Sequence, residues 1–126
     1  MGKCKLITKA QFEKLLANGQ KHLDCENRTG NSEYFCEVFE PVVKLFNPAG
    51  SQTWLLTEID PENPDTAFGL CDLGLGFPEL GVVSISELES LRFAGGLKVE
   101  RDRFFKAQGD INFYHDEAER LGHIQA

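Results

Sequence analysis

Apolar and polar positions along the chain change period several times, and each change marks an element. Between Thr8 and Gly19 the apolar residues Phe12, Leu15 and Leu16 recur at three- and four-residue spacing, the signature of a helix with one buried stripe. Thr8 is placed to cap this helix with Gln11 as its capping-box partner, Ile7 can staple onto Phe12, and Gly19 reads as the stop. From Gln20 to Glu40 the period disappears around Asn27-Arg28-Thr29-Gly30-Asn31. That stretch is expected to form a long loop or ragged hairpin, its second half pinned to the body by Tyr34, Phe35, Val38 and Phe39.

Three runs rich in β-branched and aromatic residues come next, Val42 to Phe46, Thr53 to Ile59 and Thr66 to Leu73, and they read as strands. Asn47-Pro48-Ala49-Gly50 and Asp60-Pro61-Glu62-Asn63-Pro64-Asp65 separate them. Proline fixes φ and lacks a ladder donor, and connections this short join antiparallel neighbours, because a parallel return needs about a dozen residues. After the glycine-rich break at Gly74-Leu75-Gly76, Leu80 to Val83 offers a fourth strand. Ser84 then caps a second helix with Glu87 at the capping-box position, Ile85, Leu88 and Leu91 inward, and Gly95 and Gly96 as terminators. Leu97 to Phe105 reads as extended, and Asp110 caps a last helix lined by Ile111, Tyr114, Ala118 and Leu121.

This order predicts an α+β fold: a small twisted antiparallel sheet of about four or five strands packed with about three helices, which cover one face of the sheet. With 126 residues the chain is read as a single domain, residues 1–126, large enough to bury a core without staples. No segment approaches the apolar length of a membrane helix, and Thr8 and Lys9 cut short any signal-peptide core, so no membrane association and a cytoplasmic location are expected.

Charge changes the picture more than composition does. No Lys or Arg occurs between Lys44 and Arg92, while Glu58, Asp60, Glu62, Asp65, Asp72, Glu79, Glu87 and Glu89 lie there; the remainder is nearly balanced and the net charge is −7. Such a field repels a phosphate backbone and attracts basic surfaces with a strength that falls as salt rises. Direct nucleic-acid binding is therefore not expected. Glu58, Asp60, Glu62, Asp65, Asp72 and Glu79 become the candidate residues for docking a basic protein partner, set against the plainer reading that acidic turns keep the protein soluble.

Other chemistry is thinner. Glu58, Asp60 and Asp72 end strands next to loops and suit acid–base or hard-metal work only if their oxygens converge. Cys4, Cys25, Cys36 and Cys71 contain no C-x-x-C pair and read as free thiols; a weak zinc alternative combines His22, Cys25 and Cys36. Gly69-Leu70-Cys71-Asp72-Leu73-Gly74-Leu75-Gly76 satisfies neither a dinucleotide fingerprint nor a P-loop, so no cofactor is expected. In Glu100-Arg101-Asp102-Arg103 an extended backbone would put both arginines on one face, making Arg101 and Arg103 candidates for a phosphate-bearing ligand beside the alternative of an internal ion-pair network.

Several strings resemble the DUF2958 family of bacterial proteins: Pro41-Val42-Val43-Lys44-Leu45-Phe46, Thr53-Trp54-Leu55-Leu56-Thr57-Glu58-Ile59-Asp60-Pro61, Phe68-Gly69-Leu70-Cys71-Asp72-Leu73-Gly74, Phe77-Pro78-Glu79-Leu80-Gly81, Ser84-Ile85-Ser86-Glu87-Leu88 and Val99-Glu100-Arg101-Asp102. The resemblance spans residues 41–105 and departs from the family pattern at Phe104, where a His is expected. It supplies no activity. It implies an accessory protein carried by plasmids and other mobile elements, with roles such as countering host defence. The combined expectation is a small interaction protein whose acidic face binds a basic macromolecular partner, monomeric or homodimeric. A carboxylate- or metal-dependent enzyme is one alternative, and a structural accessory subunit is another.

Overall fold

Thr8 opens the first helix as its side chain implies. In the computed structural model, which describes residues 6–30 and 37–126, its hydroxyl accepts from Gln11 N at 3.1 Å while Gln11 Oε1 accepts from Thr8 N at 3.0 Å. The helix, α1, runs Lys9–Thr29 and is closed by Gly30, whose left-handed φ of 71° lets its N–H reach the Glu26 carbonyl. Gly19 is therefore not a terminator, and residues 20–29 are helical rather than a loop. The glycine answers to tertiary packing instead. A β-carbon there would stand 1.8 Å from the carbonyl oxygen of Ile59, so α1 crosses the end of a strand at backbone contact. Phe39 is buried and Val38 exposed; Tyr34 and Phe35 lie outside the described residues.

Five strands form one sheet among the described residues: β1 (Val43–Phe46), β2 (Thr53–Ile59), β3 (Thr66–Asp72), β4 (Glu79–Ser84) and β5 (Glu100–Arg101), in the order β4-β3-β2-β1-β5. Every neighbouring pair is antiparallel. The turns use the chemistry their residues offer: Asn47 Oδ1 accepts from Ala49 N and Asp60 Oδ1 from Glu62 N, each two residues on. The extended reading of residues 97–105 shrinks to the two residues of β5. Asp102 Oδ1 accepts from Phe104 N and turns the chain away there.

The core is double. On one side of the sheet Leu6, Ile7 and Leu15 meet Val43, Leu45, Trp54, Leu56, Ile59 and Ala67, together with Ile85 and Leu88 of α2 (Ile85–Ser90). On the other, Leu55 and Leu70 pack against Ile111, Tyr114 and Ala118 of α3 (Ile111–Leu121) and against Ile124. Helices thus cover both faces, which corrects the expectation of one; alternating strand residues that are apolar on both sides demand a cover on both. Ser84 and Asp110 cap α2 and α3 through Glu87 N and Phe113 N, but α2 ends at Leu91, before the glycines assigned to stop it.

The ladder between β2 and β3 has one irregularity. Leu56 pairs with Gly69 and Glu58 with Phe68, leaving Thr57 as an extra residue on β2. The bulge resets the alternation of side chains. Leu56 and Ile59, three residues apart, both reach the α1 side of the sheet, while Glu58 turns to the opposite side beside Phe68.

Candidate functional site

β1 stops pairing with β2 at Leu56, and α1 takes over the vacated edge. Asn18 is wholly buried there and donates through Nδ2 to the Thr57 carbonyl at 2.9 Å, fastening the helix to the bulge. The bulged Thr57 hydroxyl donates across to the Phe68 carbonyl. With Gly19 seated on Ile59, the next inward-facing helical residue, His22, arrives over Glu58. Its Nδ1 lies 3.2 Å and 3.1 Å from the two Glu58 oxygens, and its Nε2 lies 3.3 Å from Glu26 one helical turn on.

This clasp forms one wall of a pocket of about 310 Å³. Its floor is a cross-strand row, Glu58–Phe68–Val82, formed by successive partners on β2, β3 and β4, so it leads from the edge of the sheet to His22. Asp60, Pro61 and Glu62 of the β2–β3 turn form the rim. Four carboxylates, Glu26, Glu58, Asp60 and Glu62, line the pocket, and among the described residues neither Lys nor Arg does. Burial pushes the Glu58 carboxyl above its ordinary value; His22 pulls it back, and the neighbouring charges of Glu26 and Asp60 push it further up. Chemically the arrangement is an imidazole held between two carboxylates above an apolar floor. It can hold a proton on Glu58 or receive a cationic group.

The acidic residues singled out in the sequence therefore separate. Glu58, Asp60 and Glu62 come together in the pocket. Asp65 is engaged in capping: it accepts from Ser84 Oγ, Ser86 N and Ser86 Oγ, which hold its carboxyl below the usual range. Asp72 is buried and accepts from Gly74 N at 2.8 Å and Ile124 N at 3.0 Å, so it pins the C-terminal segment instead of facing a partner. Glu79 is exposed opposite Cys71, at the other end of β4 from the pocket. Glu26 was missed by sequence reasoning. The signal was present as a His-x-x-x-Glu spacing, which gains meaning only once residues 20–29 are helical.

Two residues of the zinc alternative are engaged elsewhere in the structure. Cys25 is disulfide-bonded, so it offers no thiolate, both nitrogens of His22 face carboxylates, and Cys36 lies outside the described residues. Cys25 also corrects the expectation of free thiols, because spacing along the chain does not reveal which sulfurs the fold brings within reach. Cys71 is a free thiol, raised by burial to about 11. Among the described residues no three His, Cys, Asp or Glu side chains converge as metal ligands.

Arg101 and Arg103 do not share one extended face. Arg101 Nη1 donates to the Leu6 carbonyl at 2.7 Å and ties β5 to the residue preceding Ile7, whereas Arg103 is exposed beyond the end of the strand. Both still line shallow grooves of about 410 and 470 Å³ that also contain Glu100. An ion pair in this region joins Lys44 to Asp102, at 3.5 Å.

A match to the family described as Protein of unknown function (DUF2958) covers residues 6–125. The chain belongs to the DUF2958 family. The family match reaches well beyond residues 41–105 and takes in α1 and α3, so both walls of the pocket, helix and sheet, fall inside the DUF2958 region. No curated protein and no solved structure matches the chain. No helix among the described residues is long and apolar enough to cross a membrane.

Proposed function

We propose that this DUF2958 protein is a small accessory interaction protein that docks a basic macromolecular partner, and that the pocket between α1 and the β2 bulge receives a cationic side chain of that partner. One observation carries the reading: four carboxylates line a single apolar-floored pocket that has no Lys or Arg in its lining among the described residues. A lysine or arginine entering it would lay its methylene stem on Phe68 and Val82 and set its charge among Glu26, Glu58, Asp60 and Glu62. The cation would also offset the burial that chiefly raises Glu58 and the smaller push from Glu26 and Asp60. A cytoplasmic partner that handles nucleic acid, such as a host defence protein, presents the complementary charge, and a mobile-element origin fits that role.

The test is recovery of tagged protein from its native host at low and at moderate salt, beside the triple variant Glu58→Gln, Asp60→Asn, Glu62→Gln. The expected partner is basic, is lost as salt rises and is absent from the triple variant. A partner held equally by both proteins would sink the reading.

A second reading rests on the His22–Glu58 contact: a carboxyl held above its usual range beside an imidazole suits general acid–base catalysis. It predicts turnover of a small substrate that Glu58→Gln abolishes and that moderate salt leaves unchanged.

A further inference from the structure

We propose that a second copy of this chain pairs antiparallel with the free edge of β4, about a two-fold axis at Gly81, continuing the sheet from one chain into the next. Among the described residues β4 ends the sheet: its strand neighbour is β3, to which it pairs from Thr66↔Ser84 to Cys71↔Glu79 without a bulge. Such an edge presents a row of backbone donors and acceptors, and monomeric proteins guard it with lysines, bulges or prolines. Glu79-Leu80-Gly81-Val82-Val83-Ser84 carries one charge, at its first position, and no lysine or proline. On the side of the sheet occupied by Leu70 and Phe68, their partners Leu80 and Val82 are open to solvent, Val82 to 68%.

Gly81 marks the centre of that edge. Its φ is not in the left-handed region, and a β-carbon built on it meets nothing within 4 Å. Nothing among the described residues requires a glycine here, although glycine in the interior of a strand weakens it and marks places where another backbone approaches closely. At a two-fold axis here the two residues at position 81 would oppose each other on one face of the sheet, and glycine leaves that face unobstructed.

Register narrows the geometry. Directly opposed residues in an antiparallel pair share a face, so a two-fold pairing that keeps Leu80 and Val82 on one side must centre on a residue. Centred on Gly81, the ladder sets Leu80 against the partner's Val82 and Glu79 against the partner's Val83, and it runs from Glu79 to Val83 without a proline in it. Centring on Leu80 would draw Pro78, which has no N–H, into the ladder. Centring on Val82 would place Leu80 against the partner's Ser84 and run Glu79 onto the partner's Ile85, where α2 begins. About Gly81, the two Glu79 carboxylates sit four residues apart along the strands, roughly 13 Å, which exceeds the ~8 Å screening length at physiological salt. Two acidic chains thus meet without opposing like charges. Because Val82 also lines the pocket, the partner's Leu80 would close the side of the pocket that faces the sheet edge.

Three variants test the pairing, read by sedimentation over a wide concentration range and by far-UV circular dichroism. The wild-type chain is expected to sediment at twice its chain mass, and Val82→Lys at the chain mass with an unchanged spectrum. In a Cys71→Ala background, Gly81→Cys is expected to cross-link to itself on mild oxidation, since opposed Cα atoms lie about 4.5–5.5 Å apart, within disulfide reach. Glu79→Cys in the same background should not. Rising salt should leave the dimer intact or tighten it, the opposite of its effect on a basic partner, so failure of this pairing is separable from failure of the docking function. A wild-type monomer at every concentration overturns the proposal, as does a Val82→Lys dimer or faster cross-linking at position 79.

Discussion

Gly19 in the middle of α1 rests directly on the backbone of Ile59 at the end of β2, with room for a hydrogen and not for a methyl group. That contact sets the height of the helix over the sheet, and Asn18 and His22 on either side of it reach Thr57 and Glu58 as a result.

Gly19→Ala is accordingly expected to destabilise the fold by about 1–3 kcal/mol in urea denaturation, the range for overpacking, despite the better helix propensity of alanine. A variant of unchanged or higher stability would show that the helix shifts freely and that the contact does not position the pocket.

Glu58 contributes a pH dependence whose sign is set by its raised pKa. The native carboxyl holds its proton more tightly than the unfolded one, so its favourable contribution is full below the unfolded value and is lost as pH rises through the folded value. Glu58→Gln should therefore gain stability relative to wild type as pH increases through the weakly acidic range, with the difference vanishing in stronger acid. Paired thermal melts across that range check the sign; a gap that widens toward acid would contradict it.

Asp72 and the pocket carboxylates should part company under mutation. Asp72→Ala leaves the Gly74 and buried Ile124 amides without their acceptor and should cost about 1–3 kcal/mol. Faster hydrogen exchange at Ile124 N is the specific readout. Asp60→Asn and Glu62→Gln, on the exposed rim, should change stability by less than about 0.5 kcal/mol while weakening any cationic ligand.

Ser84→Ala removes the hydroxyl that caps Glu87 N and donates to Asp65. A loss of about 0.5–2 kcal/mol is expected, as for other N-caps, measured by chemical denaturation.

Cys71, with its thiol raised to about 11 by burial, should resist alkylation at neutral pH. Its modification rate in the folded protein should climb only as pH approaches that value, and unfolding should abolish the protection. Rapid labelling of native protein at neutral pH would contradict the burial seen around β3.

Much of the architecture was legible along the chain because it rests on local chemistry. Strand periodicity located β1 to β4 within a residue or so, the proline- and aspartate-rich turns made them antiparallel, and Thr8, Ser84 and Asp110 cap the helices they precede. Those signals act over three or four residues and need no partner from elsewhere. The candidate site was only half legible: Glu58, Asp60 and Glu62 stood out by charge, but Asp72 and Asp65 looked the same, since charge says nothing of whether a carboxylate is satisfied internally.

Only the folded chain decided the rest. Gly19 carries the local mark of a helix end, yet the sheet gives it another purpose, and the helix that continues past it brings His22 and Glu26 to Glu58. The bulge at Thr57 turns Glu58 to the side where they meet, and the disulfide at Cys25 joins sulfurs that no spacing motif connects. Local sequence governs where elements begin and turn, because capping and φ preferences are short-range. Which side chains share a pocket depends on backbone approach and strand register between residues some forty positions apart, and that is settled by packing.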